Sequence, residues 1–205
     1  MNGDALIHQA LAEIVEAAGS EHWAVGGSAG LLLRGLPLAA LPRDLDLYCD
    51  DPDAGRLHRS LQPFAADEPS FDASGIYQST LSHYRIHGVK VELVAGFQVS
   101  AHGCVYRTEV KRHLIPLGDR LPLRGSGRQV CVAPLAHELL FNMLRGREDR
   151  IGLIADAMRL EPQSHEYALR TLIGHNAFTR DMQSRICGWI GAGSGEAGEP
   201  AWTRK

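Results

Sequence analysis

The stretch Asp44-Leu45-Asp46-Leu47 places two carboxylates two residues apart in an alternating polar and apolar pattern. On a β-strand, residues i and i+2 share a face, with Cα atoms about 6.5–7 Å apart. Leu45 and Leu47 then point to the opposite, buried face. Aspartate is a poor strand former, and like charges on one strand face repel. Such a strand is expensive unless a cation sits between its acids. Mg²⁺ suits the position, because it takes a few carboxylate oxygens and keeps places for water and phosphate. The plainer alternative is a solvent-facing edge strand decorated with acids. Either way, the pattern calls for a sheet with one apolar and one charged face.

Upstream, the short apolar run His22-Trp23-Ala24-Val25 predicts a buried strand that breaks at Gly26-Gly27. Ser28 then stands as the expected N-cap of a helix over 29–34. Two glycines let backbone approach an anion closely, and N–H groups at a helix start attract phosphate. A glycine turn capping a helix is also common for purely structural reasons.

Further on, Glu92 interrupts the apolar strand Val89-Lys90-Val91-Glu92-Leu93-Val94, which follows a hairpin turning at His87-Gly88. If this strand pairs beside 44–48, Glu92 reaches the face of Asp44 and Asp46 and completes a three-carboxylate cage. If it does not, Glu92 is the outward residue of a half-buried strand.

Composition narrows the class. The 205 residues carry a net charge of −3 and are 44% hydrophobic and 22% charged, which excludes a chain disordered throughout or a polycationic nucleic-acid tail. No apolar run approaches the roughly 20 residues that span a bilayer, and the N-terminus lacks a basic leader, so a cytoplasmic protein with no membrane partner is expected. The four cysteines show no metal-ligand or disulfide spacing and read as buried free thiols. The charge is unevenly distributed: twelve acids against four bases in residues 1–84, then eleven bases against six acids in 85–150. That division suits carboxylates that hold cations facing cations that hold an anion.

The remaining periodicity predicts a helix over 4–18, a helix over 53–64, a polar loop over 65–75, and a β-rich region over roughly 97–133 in which 108–112 is loop or strand. Asp50, Asp51 and Asp53 read as caps of the helix that follows them. From Pro134 the period turns helical, with breaks near Gly146, Pro162 and Gly174. The fold class is therefore α/β (α+β), organised as a core over 1–133, a helical segment over 134–190, and a Gly/Ser/Glu/Pro-biased tail over 191–205 with the composition of a disordered end.

Taken in order, Gly26, Gly27, Ser28, Asp44, Asp46 and Glu92 resemble the signature of the nucleotidyltransferase superfamily that includes DNA polymerase β: a GG[S/T] turn, an acid-x-acid strand and a later third acid. The run WAVGGSAGLLLRG…RDLDLY is most similar to the small bacterial branch of lincosamide and aminoglycoside nucleotidyltransferases and abortive-infection-type toxins. The resemblance spans residues 20–95 and extends more loosely to about 158. It implies a polymerase-β-like mixed sheet with flanking helices and a C-terminal helical segment. It also implies transfer of a nucleoside monophosphate from an NTP to an acceptor hydroxyl, with pyrophosphate released. Asp44, Asp46 and Glu92 would be the catalytic, metal-holding acids for two Mg²⁺ ions; Gly26, Gly27, Ser28 and Arg43 would hold the nucleotide. The acceptor would be a small molecule such as an antibiotic, or tRNA. Two departures stand out. Glu92 replaces the commoner Asp, and Asn142 lies nearest the position of a downstream lysine, with Arg145, Arg147 and Arg150 close by in sequence. They leave a second reading, a catalytically silent member that binds nucleotide or a partner protein.

Overall fold

The computed structural model describes residues 3–191; the expected tail, from residue 192 on, lies outside the described residues. Among the described residues two compact units are present, one made of 3–98 and 107–133, the other of 99–106 and 134–191.

The first unit is built on a mixed sheet. Strands β1 (Ala24–Gly26), β2 (Asp44–Cys49), β3 (Ser70–Asp72), β4 (Tyr77–Ile86), β5 (Val89–Ala101), β7 (Asp119–Pro122) and β8 (Gln129–Val132) lie in the order β3-β4-β5-β2-β1-β8-β7. The strand β6 (Cys104–Arg107) pairs with β5 off this path. β2 runs antiparallel to β1 and parallel to β5. This arrangement follows from hydrophobic alternation: Leu45, Leu47 and Cys49 of β2, Val91, Leu93 and Ala95 of β5, and Tyr84 and Ile86 of β4 all enter one core cluster. The helices α1 (Gly3–Ala18) and α3 (Asp51–Leu61) add Ile7, Leu11, Ile14, Leu57 and Leu61 to it. Each buried valine, leucine or isoleucine among these stabilises the fold by about 1.5–3 kcal/mol. With one face so filled, β2 turns its alternate residues, Asp44 and Asp46, to the other face, where both are half-buried.

Local expectations fare unevenly. The hairpin between β4 and β5 turns where predicted, with His87 at φ 50° and Gly88 at φ 80°, a left-handed pair matched to strand twist. The loop expected over 65–75 contains β3, a short strand recruited by the edge of β4. Ser28 is not the N-cap of the helix α2 (Gly27–Leu33); the helix starts two residues sooner, Gly26 caps it in extended conformation, and Ser28 lies within the first turn. Residues 110–117, part of the region expected to be β-rich with loop or strand over 108–112, coil instead into a π-helical turn, Val110–Leu114, continued by α4 (Ile115–Leu117).

The same turn corrects the reading of the aspartate cluster. Asp51 and Asp53 do occupy the first turn of α3, but the Asp50 side chain does not cap that helix. Its carboxylate instead accepts the backbone N–H groups of Val110 (2.7 Å) and Lys111 (3.0 Å), a cap delivered across the fold. Asp50→Ala is expected to lower unfolding free energy by about 1–3 kcal/mol, because two donors at the helical turn lose a charged acceptor. Urea unfolding measures this; a change within error shows that water replaces the carboxylate without cost.

The second unit contains four helices, α5 (Leu135–Arg145), α6 (Glu148–Leu160), α7 (Pro162–Gly174) and α8 (Arg180–Ile190), which break at the Gly146, Pro162 and Gly174 positions legible in sequence. The backbone of Val105 on β6 pairs with Ala177, and the buried Tyr106 hydroxyl lies 2.7 Å from His137 Nδ1. Thr179 caps α8 by accepting from Met182 N–H. All four cysteines are buried and unpaired by disulfide. Among the described residues no helix is long and apolar enough to cross a membrane.

Candidate active site

Asp46 is the middle of three aligned backbones. Antiparallel pairing sets it opposite Gly26 of β1, and parallel pairing sets it opposite Glu92 of β5. Asp44 stands opposite Lys90 in the same register. Paired residues share a face, so four charged side chains form a two-by-two patch: Asp44 beside Lys90, Asp46 beside Glu92.

Gly27 closes the patch on the β1 side. Its φ is +58°, a conformation that side chains disfavour, and a Cβ placed on it would run into Asp46 Oδ2 and come within 3.2 Å of Asp46 Cγ. Glycine is thus required twice over, once by backbone geometry and once by the neighbouring carboxylate. Gly30, one helical turn on, has its own tight limit: a Cβ there would meet Val132 Cγ1 at 3.1 Å, so α2 lies close against the sheet. Ser28 is half-buried in the first turn of α2, and Arg43 is exposed, one residue before β2.

Glu92 is brought beside Asp46, but its carboxylate is already engaged. The Lys90 ammonium donates a hydrogen bond to Glu92 Oε1. This contact, with the charges of Glu92, Asp44 and Asp46 behind it and partial burial against it, raises the Lys90 pKa above its ordinary value. On the other side, His83 Nε2 of β4 stands 3.9 Å from Glu92 Oε1. His83 is anchored by Asp67, which accepts its backbone N–H at 2.7 Å and whose second oxygen lies 2.6 Å from Nδ1. A carboxylate only accepts, so Nδ1 carries the proton and Nε2 faces Glu92. Burial pushes the Asp67 carboxyl upward, but the two bonds from His83 outweigh it and hold it below its usual value.

Lys90, His83 and Asp67 escaped the reading of the sequence. Lys90 was recoverable, since it sits two residues before Glu92 on the same strand and so shares its face. His83 and Asp67 carried no such local signal.

The donor set is all carboxylate oxygen, which fits a hard cation such as Mg²⁺. Among the described residues, however, no three histidine, cysteine or acidic side chains are grouped so as to hold a metal ion together. A divalent cation would rest on Asp44 and Asp46, with Glu92 joining on release from Lys90.

The downstream residues belong to the second unit. Asn142 is buried on α5, and its side-chain amide donates to the Glu138 carbonyl of its own helix at 2.8 Å. Arg145 stacks over Phe141, with its guanidinium carbon 4.7 Å from the ring centre, and Arg147 pairs with Asp149 at 3.0 Å.

No protein-family model and no curated protein matches the sequence. Solved structures do. A candidate nucleotidyltransferase from Thermotoga maritima superposes with a TM-score of 0.56 at 21% identity, covering 68% of this chain and 84% of that one. ANT(2″)-Ia, crystallised with adenylyl-2″-tobramycin, gives a TM-score of 0.47 at 14% identity, covering 85% of this chain and 99% of that one. The first likeness shows that the mixed sheet and its helices have the fold of the polymerase-β-like nucleotidyltransferases.

Proposed function

We propose that the chain is a Mg²⁺-dependent nucleotidyltransferase that moves a nucleoside monophosphate from an NTP to an acceptor hydroxyl and releases pyrophosphate. One observation carries the reading: Asp44 and Asp46 share a strand face, and the α-carbon of Gly27 lies so close to the Asp46 carboxylate that no side chain fits between them. Carboxylates packed against a bare glycine turn bring a cation site and an anion site into contact, which is what a metal–triphosphate needs.

In this reading Asp44 and Asp46 hold the divalent cations, which when bound neutralise triphosphate charge and stabilise the attacking and leaving oxygens. The bare backbone at Gly26 and Gly27 admits the β- and γ-phosphates at close range, and the Ser28 hydroxyl donates to them. Arg43, exposed beside Asp44 in sequence, supplies further positive charge. Glu92 accepts the proton from the acceptor hydroxyl as its oxygen bonds to the α-phosphorus. The acidic sequence segment 1–84 favours a cationic small molecule as acceptor over tRNA, whose phosphates it would repel.

The test is pyrophosphate release and transfer of label with each of the four NTPs, labelled at the α-phosphate, and Mg²⁺, in one arm with cationic aminoglycosides or lincosamides and in the other with total tRNA. Label transferred to the small molecules supports the proposal in full, and label in tRNA reassigns the acceptor. No release in any arm overturns the transferase reading. In that event the second reading stands, a silent nucleotide-binding protein, which Asn142 favours because its amide is spent on its own helix.

A further inference from the structure

The Lys90–Glu92 contact sits on the face where the proposed function needs a divalent cation. Among the described residues, three carboxylates, Asp44, Asp46 and Glu92, are in register on adjacent strands, and Lys90 is the ammonium beside them. Lys90 cannot leave this face by simple rotation of the strand, because Val89 and Val91 on either side pack against or within the core. Its head group is partly exposed, with 46% of the side chain accessible, so the long stem can swing toward water without disturbing that core. Glu92, at 22%, is the more buried partner.

We propose that Lys90 is the resting counter-ion of this carboxylate face and that a divalent cation binds by displacing it from Glu92. The proposal rests on the metal-dependent reading above. Without metal, an ammonium beside three acids relieves their mutual repulsion and keeps the half-buried strands paired. With metal, the same ammonium is a competitor: it occupies an oxygen of the third ligand, and its charge repels the incoming cation. Lys90 therefore sets how tightly the site takes its metal, and holds affinity below what the three acids alone would give.

Mn²⁺ titration by calorimetry or electron paramagnetic resonance tests this, with no nucleotide present. Lys90→Met keeps the stem and removes the charge; it is expected to bind Mn²⁺ roughly 1.5-fold to fivefold more tightly than the wild type, the range of a partly exposed ion pair. Lys90→Arg keeps the charge and is expected to bind as the wild type does. In Lys90→Met combined with Glu92→Gln, the gain should disappear, because the freed ligand is gone. Without metal, Lys90→Met should melt at a lower temperature than the wild type, and Mn²⁺ should raise its melting temperature by more.

If Lys90→Met binds Mn²⁺ equally or more weakly while Asp46→Asn loses binding, the counter-ion proposal is overturned and the metal site survives. If neither the wild type nor Lys90→Met binds Mn²⁺, the metal site itself fails and the proposal falls with it. A gain that persists in the double variant also overturns it, since Glu92 would then not be the contested ligand.

Discussion

Asp46→Asn is expected to lose at least about a hundredfold in nucleotidyl transfer and in metal-dependent nucleotide binding, while folding as well as the wild type or better. Substitutions that only support a metal ligand already cost about 10–100-fold, and Asp46 is assigned as a ligand itself. The stability half of the expectation has the opposite sign. Asp46 lies between the register partners Gly26 and Glu92 and shares a face with Asp44, so in the absence of metal its charge is repelled from two sides. Asparagine has nearly the same volume and removes that repulsion; about 1 kcal/mol gained would raise the melting temperature by about 2–4 °C in a chain of this size. Parallel measurement of thermal unfolding and pyrophosphate release decides the point. Activity lost together with a lower melting temperature would mean a structural carboxylate, and unchanged activity would sink the assignment.

Gly27→Ala is expected to cost both stability and function, and a control separates its two causes. The left-handed backbone at φ +58° costs a non-glycine residue about 1–2 kcal/mol by itself. Gly19 has nearly the same φ, +56°, but a Cβ there would meet nothing within 4 Å. Gly19→Ala therefore measures the backbone cost alone. Gly27→Ala should exceed it by about 1–3 kcal/mol, the usual cost of forcing an extra methyl into packed surroundings. It should also lower nucleotidyl transfer severely, because the Asp46 carboxylate must move to make room. Combining Gly27→Ala with Asp46→Ala, which deletes the obstructing carboxylate, should be less destabilising than the sum of the two single effects. Equal losses at Gly19 and Gly27, with activity retained, would show that Asp46 yields freely and that the turn does not depend on a bare α-carbon.

Asp46 and Gly27 are both legible in the amino-acid sequence, and the reason is local. Period-two alternation around Leu45 and Leu47 fixes which face Asp44 and Asp46 share, whatever the rest of the chain does. The His87-Gly88 turn and the helix breaks after Pro134 are readable for the same reason: turn and cap chemistry act within a few residues. Ser28 shows the limit of such reading. Both a glycine and a serine can precede a helix, and the closeness of Asp46 to Gly27 accompanies a start two residues sooner. The coil at 110–117 and the true partner of the Asp50 carboxylate are not readable, because a side chain from elsewhere in the sequence caps that turn.

By itself the sequence determined an acid pair on one strand face, a glycine turn before it, a third acid on a later strand, and an α/β core followed by helices. Those are consequences of periodicity and backbone preference, which operate over short distances along the chain. Only the tertiary structure decided that β5 lies parallel to β2 in the register that sets Glu92 against Asp46 and Lys90 against Asp44. It alone decided that Glu92 takes the Lys90 ammonium and that an Asp67-anchored His83 stands 3.9 Å from the same carboxylate. Register between strands far apart in sequence is set by burial of the whole apolar face at once, and the charges on the other face take the neighbours that this packing gives them.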